Sequence, residues 1–137
     1  MKSGIETLED AFIKTMIMFS SSAEKQIYCY GEESAVADEI AEDFYQYFTI
    51  LKEQKYFNKS EYLTAKENLE AINTILDECS GSTNEEFWTL DSLRKNPVWE
   101  NLRNLMKDAI KKMDKANLDI EIIKKDKWTI LELKEKE

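Results

Sequence analysis

The sequence predicts a mainly α-helical fold: a single-domain bundle of about five helices, with a carboxyl-terminal β-hairpin or a last helix closing the chain. Three observations carry this expectation. Apolar residues recur at three- and four-residue steps along most of the chain, as they do on the core-facing side of a helix. One proline and three glycines in 137 residues leave few breaks, and these fall between the apolar stripes. The last twenty residues change to a two-residue alternation. At 42% hydrophobic residues the chain can form one core, and a chain of this length buries roughly two-thirds of its extended surface.

Ser3 followed by Glu6 has the spacing of a capping box, and Ile5, Leu8, Phe12, Met16 and Phe19 follow on one stripe, so a first helix is expected up to the serines at 20 to 22. Residues 23–30 either continue that helix or form a connector that covers the core with Ile27, Tyr28 and Tyr30. Gly31 supplies a stop, since glycine enters the left-handed region without strain. Val36, Ala37, Ile40, Ala41, Phe44, Phe48 and Leu51 then define a helix over 34–51, and the other helices are expected to pack on it.

Asn58 and Ser60 are good caps for a further helix, whose stripe is Leu63, Leu69, Ile72, Ile75, Leu76 and Cys79, ended by Gly81. Thr83 and Glu86 repeat the capping-box spacing before Phe87, Trp88, Leu90 and Leu93. Pro97 keeps that helix short, because the residue before a proline is pushed out of helical geometry. Asn96-Pro97 opens another helix, with an asparagine cap and a proline where no amide is needed. Trp99, Leu102, Leu105, Met106, Ala109, Ile110 and Met113 line one side of it, and Lys111, Lys112 and Lys115 suit its negative pole. Leu118, Ile120 and Ile122 alternate with Asp119 and Glu121. Residues 124–127 read as a turn and 128–133 as a second strand, a hairpin that has to lie against the helices to be stable.

Charge is the strongest functional signal. The formal net charge is -9, with 28 acids and 19 bases, and it is uneven. Residues 1–57 hold five bases and eleven acids, residues 58–100 four and nine, and residues 101–137 ten and eight. An acidic chain with two arginines, Arg94 and Arg103, is a poor match for the phosphates of nucleic acid or for an anionic membrane. It favours a basic protein as partner. No stretch reaches the ~20 apolar residues that span a bilayer. The apolar run at 13–19 is preceded by Glu6, Glu9 and Asp10 and contains Lys14, which argues against a cleaved signal and for a cytoplasmic protein. Cys29 and Cys79 lie far apart, without metal-ligand spacing, and read as reduced thiols.

Histidine is absent, which removes the usual general base near neutral pH and the Ser-His and Cys-His pairs. No glycine-rich phosphate loop or calcium loop occurs. Glu132-Leu133-Lys134, with Asp119 or Asp126 upstream, has the residue types of a metal-dependent nuclease centre. In a chain with 34% charged residues such a triplet arises easily, and the net acidity repels the substrate. The expectation is a binding protein with no catalytic residues, cofactor or metal.

The candidate binding residues sit on the 34–51 helix. Asp38 and Glu42, and Glu39 and Asp43, stand one turn apart, and Tyr45 and Tyr47 flank the apolar stripe from either side. Between Gln26 and Leu51 there are six carboxylates and no lysine or arginine, whereas an ordinary exposed helix mixes signs to gain i,i+4 pairs. Glu32 and Glu33, just before the helix, extend the acidic field. Tyrosine beside carboxylates recurs in binding patches, where it adds area at small entropic cost.

The segment Leu93-Arg94-Lys95-Asn96-Pro97-Val98-Trp99-Glu100-Asn101-Leu102-Arg103 resembles the way many small bacterial immunity proteins open a late helix with a proline and a tryptophan. These belong to contact-dependent inhibition and related polymorphic toxin systems, and the chain is also similar to them in being short and acidic. The resemblance spans about a tenth of the chain, and the group shares no single fold. It implies a cognate toxin domain, often a basic nuclease, as the partner whose active site or substrate path is covered.

Overall fold

The computed structural model describes residues 7–136, which form six α-helices and one antiparallel hairpin. In order these are α1 (Leu8–Ser20), α2 (Ala23–Tyr30), α3 (Val36–Glu53), α4 (Ser60–Glu78), α5 (Leu90–Lys95), α6 (Pro97–Lys112), β1 (Leu118–Lys125) and β2 (Trp128–Glu135). Short 3-10 turns at Tyr56–Asn58 and Ser82–Trp88 lead into α4 and α5. No described helix is long and apolar enough to cross a membrane.

The hub is α1, not α3 as the sequence suggested. α1 packs against α3, α6, α2 and both strands, while α4 lies along α6. For this reason its burial is nearly continuous from Met16 to Ser20 and does not follow a single stripe, the pattern of a helix covered on most sides. The core is one connected cluster threaded by aromatic rings. Phe12 meets Phe57 edge-on, Phe57 meets Phe48, Phe48 stacks on Phe44, and Phe44 meets Phe19 at 5.6 Å. Phe19 in turn meets Trp99, which stacks on Phe87 at 4.9 Å. Each such pair adds about 0.5–1.5 kcal/mol beyond the area it buries.

Most helix ends follow the sequence. Ser22 caps α2, making residues 23–30 a separate helix, and Gly31 ends it at φ 94°. Asn96 Oδ1 accepts the Val98 amide at 2.9 Å, with Pro97 in the first turn of α6. The capping box at Ser3 and Glu6 lies outside the described residues, and α1 is capped by Thr7.

Three local expectations are corrected. Asn58 and Ser60 cap nothing: Lys59 holds the cap position of α4 without a side-chain bond. The buried stripe of α4 is Tyr62, Ala65, Leu69, Ile72 and Leu76, so Leu63, one residue off that row, stands 47% exposed. The α-helix expected after Thr83 begins at Leu90, capped by Thr89, because residues up to Trp88 form the 3-10 turn.

One buried polar network ties four helices. Gln26, fully buried, donates to the carbonyls of Met18 and Phe19 at the end of α1. Its own oxygen accepts from Arg103, whose same nitrogen donates to the Leu93 carbonyl at 2.6 Å. Burial pushes the Arg103 guanidinium below its ordinary pKa, with Glu100 opposing.

The hairpin turns through Asp126 and Lys127, with Asp126 at φ 48° and Lys125 opposite Trp128. One face, Leu118, Ile120, Ile122, Leu131 and Leu133, packs on the core. The other carries the Ile123–Ile130 pair with Trp128 and Lys125.

Candidate partner-binding surface

α3 begins at Val36 without a side-chain cap, and Asp38 and Glu39 stand in its first turn. Carboxylates there interact favourably with the positive pole, so two of the four acids stabilise the helix that presents them. Because successive helical residues are about 100° apart, the acidic face is two adjoining rows, not one. Asp38, Glu42 and Tyr45 form an exposed row, with Tyr45 57% accessible. Glu42 and Tyr45 border a shallow groove of about 430 Å³ shared with Asn73, Leu76 and Asp77 of α4 and with Trp88.

Glu39, Asp43 and Tyr47 form the second row and are half-buried. Asp43 accepts a 2.7 Å hydrogen bond from the Tyr30 hydroxyl. Tyr47 packs against the core and, with Asp43, lines a cleft of about 360 Å³ against Lys14, Thr15 and Thr129 to Leu131. Tyr47 therefore serves the rim of the core as well as the surface. Burial, followed by repulsion from Asp43, Glu42 and Asp38, pushes the Glu39 carboxyl up. Burial also raises Asp43, helped by Glu42 and opposed by the Tyr30 hydrogen bond. Burial first and the Asp43 carboxylate second drive the Tyr30 hydroxyl far above its ordinary pKa.

Glu32 and Glu33 are exposed in the turn between α2 and α3. Glu32 lies in the field of Arg94, which bonds Glu24 at 2.7 Å, so Glu32 has a nearby compensating charge.

No ion pair among the described residues involves Asp38, Glu39, Glu42 or Asp43. Three lysines near α3 bond other groups. Lys25 meets Asp119 at 3.5 Å, and Lys52 meets Glu70 at 3.1 Å. Lys124 donates to the Cys29 carbonyl and to Thr129, over the ring of Tyr28. The hairpin thus packs on α1, sends Lys124 to α2, borders the inner row at Asp43 and Tyr47, and leaves Asp38 and Glu42 exposed.

The remaining sequence candidates take surface or core places. Trp99 is fully buried, its indole N–H donating to the Phe87 carbonyl at 3.0 Å. Glu132 and Lys134 are exposed on the outer face of β2, opposite Glu121 and Asp119. Cys29 and Cys79 are free, and burial raises both thiols.

Sequence reasoning missed the outer face of the hairpin, where Trp128 is 73% and Ile130 39% exposed. The doublets Ile122-Ile123 and Ile130-Leu131 place an apolar residue on both faces, so alternation does not say which side is inward. Comparison with protein-family models, with curated proteins and with solved structures finds no match, so a functional reading rests on the residues and geometry above.

Proposed function

We propose that the protein is a cytoplasmic immunity protein that binds and neutralises a cognate, basic toxin domain, of nuclease type, through the acidic face of α3. It acts by binding, without catalysis or cofactor. The observation that supports this is the exposure of Asp38 and Glu42 beside Glu39 and Asp43, with none of the four in an ion pair among the described residues and with Lys25, Lys52 and Lys124 bonded to other groups. An uncompensated acidic surface speeds encounter with a cationic partner, and Tyr45 offers the rigid, amphipathic contact that anchors interfaces. Glu32 and Glu33 steer the approach.

The test is capture of a basic protein from the native cell, by the wild type and by a variant with Asp38, Glu39, Glu42 and Asp43 changed to lysine. The wild type retains it, with affinity falling as salt rises from about 50 to about 500 mM and the screening length shortens. The variant does not. Salt-independent affinity, or equal retention by the variant, overturns the proposal.

A second reading, an adaptor that docks a partner helix by apolar contact, draws on the exposed Trp128 and Ile130. Under it, capture survives both high salt and the α3 reversal and is lost on Trp128→Ser.

A further inference from the structure

A cavity of about 370 Å³ opens where the carboxyl ends of α1 and α6 approach the start of β1. Its apolar side is formed by Ile17 and Ile110, both buried, and by half-buried Leu118. Lys107 and Lys111, one turn apart on α6, and Lys136, just past β2, also line it. None of these three lysines is in an ion pair among the described residues, although the chain has a formal charge of -9. Lys112, on the same helix, shows the contrasting case: it bonds Asp108 at 3.1 Å and Asn68 at 2.9 Å.

The negative groups nearby do not balance them. The carboxyl poles of α1 and α6 contribute about half an elementary charge each. The pole of α1 is already answered in part by the hydroxyls of Ser20 and Ser21, which donate to the Ile17 carbonyl at 2.9 and 2.7 Å. Asp119, also at the cavity, is held by Lys25 and by the Ile120 amide at 2.8 Å. Asp108, beside Lys107 and in the field of Lys111, is bonded by Lys112 and Asn68. Among the residues that line the cavity, three ammonium groups therefore face one carboxylate, which Lys25 already shares.

We infer that this cavity binds a small amphiphilic carboxylate, an anion with a short hydrocarbon body. The carboxylate sits among the three ammonium groups, and the hydrocarbon covers Ile17, Ile110 and Leu118. A bare oxyanion leaves that apolar wall wet, and a neutral hydrocarbon leaves the lysines unanswered. The volume falls within the range of small-ligand pockets, roughly 300–1,000 Å³. The site is separate from the acidic face of α3 and does not depend on the function proposed for it.

The experiment is calorimetric titration of the full chain with acetate, hexanoate, octanoate, decanoate and inorganic phosphate. Decanoate binds saturably with one-to-one stoichiometry, and each added methylene tightens binding about fourfold, the equivalent of ~0.8 kcal/mol. Acetate and phosphate give no saturable heat. The variant Lys107→Gln/Lys111→Gln, whose altered side chains are exposed, weakens decanoate about tenfold or more through loss of two charge-assisted contacts. Lys127→Gln, in the hairpin turn, leaves it unchanged. Absence of saturable decanoate binding, affinity independent of chain length, phosphate binding as tight as decanoate, or wild-type affinity in the double variant each overturns the assignment.

Discussion

Replacing Glu42 by glutamine removes one charge from the middle of the acidic face while keeping the side chain's length. Glu42 stands one turn after Asp38 and three residues after Glu39, so two like-charge contacts disappear, each worth about 0.2–0.5 kcal/mol. Unlike Asp38 and Glu39, it lies beyond the first turn of α3, so the favourable interaction with the helix pole is untouched. Glutamine and glutamate have nearly equal helix propensity, and no ion pair among the described residues is lost. The expected result is a stabilisation of about 0.4–1 kcal/mol at low ionic strength, raising the unfolding midpoint by about 1–4 °C for a chain of this size. Thermal unfolding followed by far-UV circular dichroism reads it, in about 0.01 M and about 1 M sodium chloride, where the screening length falls from ~30 to ~3 Å. The gain should vanish at high salt. A variant that is unchanged or less stable at low salt refutes the picture of an uncompensated acidic face.

Protonation probes the same repulsion. Glu39 and Asp43 are raised in the folded state, so folding carries a penalty above their folded pKa values that is relieved as pH falls through them toward the ordinary carboxylate range. Urea midpoints should rise on mild acidification through that window, and Glu39→Gln/Asp43→Asn should flatten the rise. Gln26→Ala removes one acceptor of the buried Arg103 guanidinium and the amide that bonds the Met18 and Phe19 carbonyls, and leaves a void, at a cost of about 2–4 kcal/mol in urea unfolding; a loss under ~1 kcal/mol speaks against the network's role. Trp99→Phe leaves the Phe87 carbonyl unpaired and a void beside it, lowering stability by about 2–3 kcal/mol, and an effect near zero contradicts tight packing there. Trp128→Ser changes stability by no more than about 0.5 kcal/mol, whereas a large loss places that ring against the helices.

Helix positions were legible where a local rule acts alone. The Asn96-Pro97 start and the Gly31 stop depend on backbone chemistry within a few residues, and both hold. The hairpin was legible in outline from its alternation. Burial was harder to read. Leu63 looked like core because it is apolar and near the right spacing, yet the contact with α6 selects the row through Tyr62 and Ala65. Of the candidate site, the acidic composition of α3 was plain, and its division into an exposed row and a half-buried row was not. Asp43 lost part of its freedom to Tyr30, thirteen residues earlier, a pairing that no spacing rule contains.

By itself, the sequence determined the helical class, the acidic character of α3 and the absence of histidine chemistry, because these follow from composition and from periodicities of a few residues. Only the tertiary structure decided that α1 is the hub, that the hairpin packs on α1 with Lys124 reaching α2, and that three lysines gather at an apolar cavity. Those outcomes depend on bringing together residues as far apart as Cys29 and Lys124, which bond, or Ile17 and Lys136, which line one cavity. Such pairings are selected by the packing of the whole core, and no short stretch of chain encodes them.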